Sequence, residues 1–269
     1  MIAGIRSRII PYINPAKVQK MDTRLKGYLI GRLARELETA RMINADEMAA
    51  QIRSIGFSCL RCGRCCRGEH EDNSVIVSPG EIQKICLHTG LSKDAVAQPP
   101  EERSGNMQDR KTLEELSDVI DTRGNIHTFG WELSRKRNGD CSFIQDVAAG
   151  NKCNIYGVRP LLCSTYPFHM EEGELRVSEC EGLGGNIGKE ESLLLAESVI
   201  RRYIEEIKEA IRVYQNYESF ERGPENINKA MENIREGIIN YVVHDSTGSH
   251  RTTRRISGPI IAFQDKITD

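Results

Sequence analysis

No stretch of this sequence approaches the roughly 20 apolar residues that a membrane-spanning helix needs. Even Leu193 to Ile200 is interrupted by Glu197 and Ser198. Aromatic residues are scarce, at 6% with a single tryptophan, Trp131, and the tyrosines are too scattered to build a base-stacking surface. Charge of one sign is also lacking: 37 Lys and Arg stand against 39 Asp and Glu, for a net charge of -2. Such a balance gives no general attraction to nucleic acid or to an anionic membrane, so a polyanion would have to be bound locally. The opening Met1 to Asn14 carries Arg6 and Arg8 but has neither the apolar region nor the small-residue cleavage site of a secretory signal. A nucleophile elbow, a Walker loop and a zincin helix are all missing. These absences set the expectation of a cytoplasmic chain with no membrane span and no nucleic-acid partner.

What is present is cysteine, nine residues in 269. A chain of this length buries a core without covalent staples. In a reducing cytosol thiols stay free for metals or catalysis, whereas disulfide scaffolds are typically short and secreted. The strongest signal is Cys59-x2-Cys62-x2-Cys65-Cys66. Two-residue spacers let successive thiolates converge on one centre. Three in series resemble the ligand run of a [4Fe-4S] site more than a zinc knuckle, which uses isolated Cys-x2-Cys pairs. Further ligands must come from downstream, where Cys141, Cys153, Cys163 and Cys180 are available. Together the eight suffice for two sites of four thiolates. In an extended chain Cys65 and Cys66 would point apart and serve different centres or different irons. Arg61, Arg64 and Arg67 interleave the run and Arg159 precedes Cys163. They read either as a solvated face or as charge compensation for thiolates. Cys86 has apolar helical neighbours and reads as a buried core thiol.

The elements around the cysteines are predicted to be helix-rich α+β: a small irregular cysteine-cluster core with short β-hairpins, N-terminal helices before it and a C-terminal αα-hairpin after it. Asp22 caps a helix whose inner face repeats Leu25, Leu29, Leu33 and Leu37, and a second helix runs from Asn44 to Gly56. These form a segment over 1–56. The metal-binding domain is expected over 57–188. Within it Phe57 to Gly68 reads as a loop, Val75 to Val77 as a strand, and Ser78-Pro79 with Glu81 as the start of a helix that Gly90 ends. Residues 98–124, with Pro99 and Pro100, read as a long excursion or lid carrying a weak helical run near Leu113 to Ile120. A strand over Ile126 to Leu133, the Asn138-Gly139 turn and a return over Cys141 to Ile144 follow, then a third strand over Cys153 to Tyr156. A last hairpin is expected across Glu171-Glu172-Gly173. Two amphipathic helices are expected over 189–244, one marked by Leu193 to Tyr214 and one by Ile227, Met231, Ile234, Ile238 and Val242. The run 245–269, mildly basic and without periodicity, reads as a flexible tail.

Three strings carry a resemblance: Phe57-Ser-Cys-Leu-Arg-Cys-Gly-Arg-Cys-Cys-Arg67, Asn138-Gly-Asp-Cys-Ser-Phe-Ile144, and Cys153-Asn-Ile-Tyr-Gly-Val-Arg-Pro-Leu-Leu-Cys163-Ser-Thr-Tyr-Pro-Phe168. They are similar to the YkgJ-type cysteine-cluster family, a zinc- or iron-chelating domain whose relatives include the flagellin lysine N-methylases. The likeness spans about residues 57 to 188. It implies metal binding at Cys59, Cys62, Cys65, Cys66, Cys141, Cys153, Cys163 and Cys180. Ser164 departs from the arginine common in the family after that cysteine, which removes a charge but no ligand.

Spacing and ligand softness favour an iron-sulfur cluster over zinc. The leading expectation is a cluster protein in electron transfer or in cluster or metal handling. Alternatives are an S-adenosylmethionine-dependent lysine N-methylase, suggested by the relatives alone, and a zinc-stabilised adaptor. A protein partner is expected through the C-terminal helices or tail. Gly182-Leu-Gly-Gly-Asn-Ile-Gly188 fails the dinucleotide fingerprint and lacks a βαβ unit, so these glycines read as letting backbone N–H groups approach the sulfurs. His70 and His169 lie near the cysteines but read as ordinary histidines, since eight thiols already suffice. His88, His127, His244 and His250 carry no local motif, and Asp140 or Asp146 could sit beside the metal.

Overall fold

The computed structural model describes residues 22–69, 74–100, 107–147 and 150–256. The expectations for Met1 to Asn14, His70 and 257–269 fall outside them. In chain order the elements are α1 (Thr23–Arg41), α2 (Ala45–Ile55), α3 (Arg64–Arg67), β1 (Ile76–Val77), α4 (Pro79–Thr89), α5 (Lys93–Val96), β2 (Ala97–Gln98), α6 (Arg110–Glu115), β3 (Ile126–Phe129) and β4 (Trp131–Leu133). They continue with β5 (Ile144–Val147), β6 (Gly150–Cys153), α7 (Leu161–Thr165), β7 (Phe168–Glu171), β8 (Glu174–Val177), α8 (Lys189–Asn216), α9 (Asn226–Arg235), β9 (Ile238–Asp245) and β10 (Gly248–Arg255). The architecture is the expected helix-rich α+β with small sheets.

The helix starts follow from local chemistry. Asp22 accepts the Leu25 amide at 2.7 Å and opens α1, and Asn44 accepts the Asp46 amide at 2.9 Å and opens α2. In α4, Ser78 and Glu81 form a reciprocal capping box with Pro79 at the first helical position. The apolar faces of α1 and α2 both pack on α8: Leu29, Leu33 and Leu37 meet Tyr203, Ile207 and Tyr214, while Met48 and Ile52 meet Ala196, Val199 and Phe168. Each fully buried aliphatic side chain contributes about 1.5–3 kcal/mol. A third cluster, around Ile85, Trp131, Phe143, Ile155 and Ile234, is the floor on which Cys86, Cys141 and Cys153 rest.

Several elements differ from the sequence expectation. The second C-terminal helix ends at Arg235, and Gly237, at φ 79°, turns the chain into β9. Ile234, Ile238 and Val242 mislead because a spacing of four satisfies the helical repeat and the two-residue strand repeat alike. The C-terminal helix pair is present as α8 and α9, and each packs chiefly on other elements: α9 on β9 and α6, α8 on α1 and α2. Residues 248–255 of the expected tail are the strand β10, paired with β9 from Gly248↔Asp245 to Arg255↔Ile238. As the edge of the sheet β10-β9-β3 it needs no apolar face of its own. The stretch 107–124 is no lid, since Leu113 and Ile120 lie in the core. Ile126 to Leu133 is two strands, split where Gly130 takes φ 73°; β3 runs parallel to β9 and β4 lies between β1 and β2. The hairpin after Cys141 is β5-β6, and beyond Cys153 the chain enters a 3-10 turn over Tyr156–Val158. The β7-β8 hairpin is as expected, with Glu172 and Gly173 both at positive φ.

Candidate metal centre

The first cysteine run is a loop folded back on itself. Arg61 takes φ 53° and Gly63 φ 77°, and the single turn α3 ends at Gly68 with φ 68°. The left-handed positions at 63 and 68 suit glycine, which has no Cβ to clash. Because Cys65 and Cys66 lie on a helical turn rather than in extended chain, their sulfurs do not point apart: they are 3.9 Å from each other. The expectation that they serve separate centres loses its geometric basis.

Three downstream segments come up to this loop. The Cys141 amide donates to the Cys66 carbonyl at 2.9 Å, seated by the turn at Asn138-Gly139 and an isolated bridge between Arg135 and Cys141. Cys153 closes β6 in register with Ile144, next to the Asn154 amide that donates to the Phe143 carbonyl at 3.0 Å. Cys163 sits in α7, whose first amide, Leu161, donates at 2.8 Å to the Glu81 carboxylate. The carboxylate that caps α4 thus also docks the helix carrying Cys163.

Cys180 arrives by a backbone clasp. The Ser58 amide donates to the Gly182 carbonyl at 2.9 Å, the Gly184 amide to the Gly56 carbonyl at 3.0 Å, and Phe57 bridges Leu183. This is the principal role of the glycine string: a Cβ on Gly182 would lie 2.3 Å from the Ser58 carbonyl oxygen, and one on Gly185 2.7 Å from the Ser58 nitrogen. One amide does approach a sulfur as expected, Gly182 donating to Cys180 Sγ at 3.5 Å.

The arginines interleaved with the cysteines tie the segments together. Arg64 pairs with Glu181, beside Cys180, and with Glu69 at 3.5 Å. Arg67 pairs with Asp146 and, at 3.9 Å, with Asp140, so these two carboxylates flank Cys141 as partners of an arginine. Arg61 and Arg159 both lie over the Tyr156 ring, at 4.9 and 4.2 Å from its centroid. Sequence reasoning missed these straps. Their signal was the placement of Asp140 and Glu181 directly beside cysteines.

The thiols influence one another electrostatically. Cys65 is pulled down to about 7, chiefly by the hydrogen bond from Cys66, while Cys66 is pushed up by the same bond, by burial, and by Cys65, Cys141 and Cys163. Burial raises Cys163, as do Cys141, Cys65 and Cys153 around it, against the opposing charge of Arg159. Burial likewise raises Cys141, Cys153 and Cys180, with Cys65, Cys59 and Cys62 adding to the last. Cys65, Cys66, Cys141, Cys153 and Cys163 therefore act on one another, and Cys65, Cys59 and Cys62 act on Cys180. Among the described residues no three His, Cys, Asp or Glu side chains are already arranged to hold one ion. The donor chemistry fits a soft metal or a cluster. Cys86, on α4, is half-buried rather than fully buried, and it packs against the same apolar cluster as Cys141 and Cys153. His169 lies on β7, opposite Arg176.

No curated protein and no solved structure matches the chain. Among the described residues no helix is long and apolar enough to cross a membrane. One family does match: CxxCxxCC, described as a "Putative zinc- or iron-chelating domain", over residues 58–181. That span starts at the clasp on Ser58, ends at the Glu181 strap and contains the cysteines from Cys59 to Cys180, so residues 58–181 of this chain are similar to the CxxCxxCC domain.

Proposed function

We propose that Cys59, Cys62, Cys65, Cys66, Cys141, Cys153, Cys163 and Cys180 supply the thiolates for an iron-sulfur cluster of the [4Fe-4S] type, with enough sulfur for a second centre. The protein would then serve electron transfer or cluster and metal handling. One observation carries the reading: cysteines as distant in sequence as Cys66 and Cys163 share one electrostatic neighbourhood, joined directly by the Cys141 amide on the Cys66 carbonyl at 2.9 Å. The Cys-x2-Cys-x2-Cys series favours iron-sulfur over zinc.

Such a cluster supplies one-electron redox capacity, and the chain's own residues prepare its seat. Arg159 brings positive charge to Cys65, Cys153 and Cys163, and Arg135 brings it to Cys141, which favours the thiolate forms that ligate. Arg64 and Arg67 hold the first loop to the segments bearing Cys180 and Cys141. The clasp of Gly182 and Gly184 on residues 56–58 fixes the entry and exit of the domain against each other. The test is purification without oxygen, followed by iron, zinc and acid-labile sulfide analysis. Iron and sulfide in equal amounts are expected. Zinc at fixed stoichiometry without sulfide would replace the cluster by a zinc centre, and a colourless, metal-free protein would end the proposal.

A further inference from the structure

Away from the cysteines, four polar side chains form a one-way hydrogen-bond chain from the surface into the core. Asp121 Oδ2 lies 3.3 Å from His127 Nε2, His127 Nδ1 lies 2.8 Å from His244 Nε2, and His244 Nδ1 lies 2.9 Å from Ser249 Oγ. The carboxylate fixes the proton positions. Asp121 also accepts the Arg123 and Asn125 amides and the Asn125 side chain, and these bonds hold its carboxyl below the usual range although burial opposes them. An ionised Asp121 can only accept, so His127 donates from Nε2 and accepts at Nδ1. His244 must then donate from Nε2, which leaves Nδ1 as acceptor for the Ser249 hydroxyl.

The imidazoles are buried, at 6% and 3% exposure, and burial holds both below the ordinary histidine value, His244 at about 3. Both are therefore neutral at pH 7. Ser249 is exposed, on the edge strand β10, directly opposite His244. The groups facing the pair are Phe220, stacked on His127 with ring centroids 3.5 Å apart, Phe129 and Tyr217 against His244, Arg251 acting on His127 through its charge, and Asp245 and His250 acting on His244. The Tyr217 hydroxyl is buried with no hydrogen-bond partner, and burial raises it to about 12, so it remains a protonated donor beside the base. A network serving the core alone does not need an exposed serine at one end.

We propose that Ser249 is a nucleophile with His244 as its general base, acting on activated carboxylic or phosphonic esters, with His127 and Asp121 as positioning residues. In the acyl step the Ser249 Oγ–carbon bond forms and the ester carbon–oxygen bond breaks. The hydroxyl proton passes to His244 Nδ1 and on to the leaving alcohol. Water then hydrolyses the acyl-serine by the reverse use of His244. His127 accepts the Nε2–H bond of His244, and Asp121 holds His127 in the tautomer that does so, while Asp245 favours the cation formed on His244 against the burial that opposes it.

The test uses the full chain and a fluorophosphonate probe, which forms an Oγ–phosphorus bond as fluoride leaves, with the adduct located by peptide mass spectrometry. Thr253 is the internal control, an exposed hydroxyl on the same strand bonded to Asn240 at 2.7 Å. Expected are an adduct at Ser249 and none at Thr253, no labelling in Ser249→Ala, and labelling slowed by at least about 100-fold in His244→Gln. Asp121→Asn is expected to move the pH midpoint of labelling rather than its plateau alone. Equal modification of Ser249 and Thr253, or none at Ser249, overturns the proposal. That ratio is read in the parent protein, so it stands whatever the buried substitutions do to folding.

Discussion

Gly182→Ala tests whether the clasp between residues 56–58 and 182–184 builds the metal site. The added Cβ would lie 2.3 Å from the Ser58 carbonyl oxygen and 3.1 Å from Phe57 Cε2. Real Cβ contacts do not fall below 3.0 Å, so the two backbones must separate by at least 0.7 Å. The nearer obstacle is backbone, and the Phe57 ring is held edge-on against Phe168. Overpacking of this kind costs about 1–3 kcal/mol. The Ser58-to-Gly182 hydrogen bond, at 2.9 Å, is lost with it, for about 1 kcal/mol more. A total of about 2–4 kcal/mol corresponds to roughly 30- to 1,000-fold in affinity if the shift is felt where Cys59 and Cys180 converge. The assay is a chelator competition titration of the metal-loaded protein, with urea unfolding of the metal-free chain beside it. Gly157→Ala is the control, because its Cβ meets nothing within 4 Å although the residue lies between Cys153 and Cys163. Parent-like affinity and parent-like unfolding in Gly182→Ala would show that the clasp does not position the site.

Cys163→Ser is expected to lose metal and, because ligand binding is coupled to folding where a site is not preformed, to lower the unfolding midpoint of the loaded protein. Cys86→Ser should keep full metal content by elemental analysis; a loss equal to that of Cys163→Ser would move Cys86 out of the core and into the site. Arg67→Ala removes the strap to Asp140 and Asp146 and should expose the 61–68 loop to limited proteolysis in the metal-free protein, with cleavage suppressed again by metal. Acid should destabilise the chain before its carboxylates titrate. His127 and His244 are held below their unfolded values by burial, so their contribution is complete above about pH 6.5 and falls as pH drops, by about 1.4 kcal/mol per pH unit for His244, with His127 adding a loss in the same direction. Urea midpoints at pH 7, 6 and 5 check this, and a flat profile would mean that the imidazoles accept protons without opening the sheet.

The parts of the structure legible in the sequence are those governed by nearest neighbours. Asp22, Asn44 and Ser78 announced helix starts because a short polar side chain reaches an amide two or three residues on, whatever the rest of the chain does. The turn at Glu172-Gly173 is local in the same sense. What could not be read depends on partners far away in sequence. The polar run at 248–255 is a strand only because β9 lies beside it, and β9 was hidden by a four-residue spacing common to both periodicities. The glycines at 182–185 look like a loop for a ligand, whereas their tight packing is against backbone more than 120 residues earlier. His127 and His244 had no motif because their relation is a register between parallel strands, which no spacing encodes.

The same distinction explains how the cysteine site divides its labour. The first run is self-contained: the left-handed turns at Arg61, Gly63 and Gly68 bring Cys65 and Cys66 together without outside help. The other thiols come on separate supports, Cys141 after a turn, Cys153 at the end of a hairpin, Cys163 on a helix docked to Glu81, and Cys180 beside the clasp. Gathering them buries groups that resist ionisation there: burial chiefly raises Cys141, Cys153 and Cys163, the hydrogen bond with Cys65 chiefly raises Cys66, and the neighbouring thiols add to each. Ion pairs at Arg64 and Arg67 hold the supports at the edges without neutralising the middle. A bound cation or cluster core would ligate these thiolates and so offset the cost of ionising them where they are buried, which makes metal binding a source of stability for the segments that carry them.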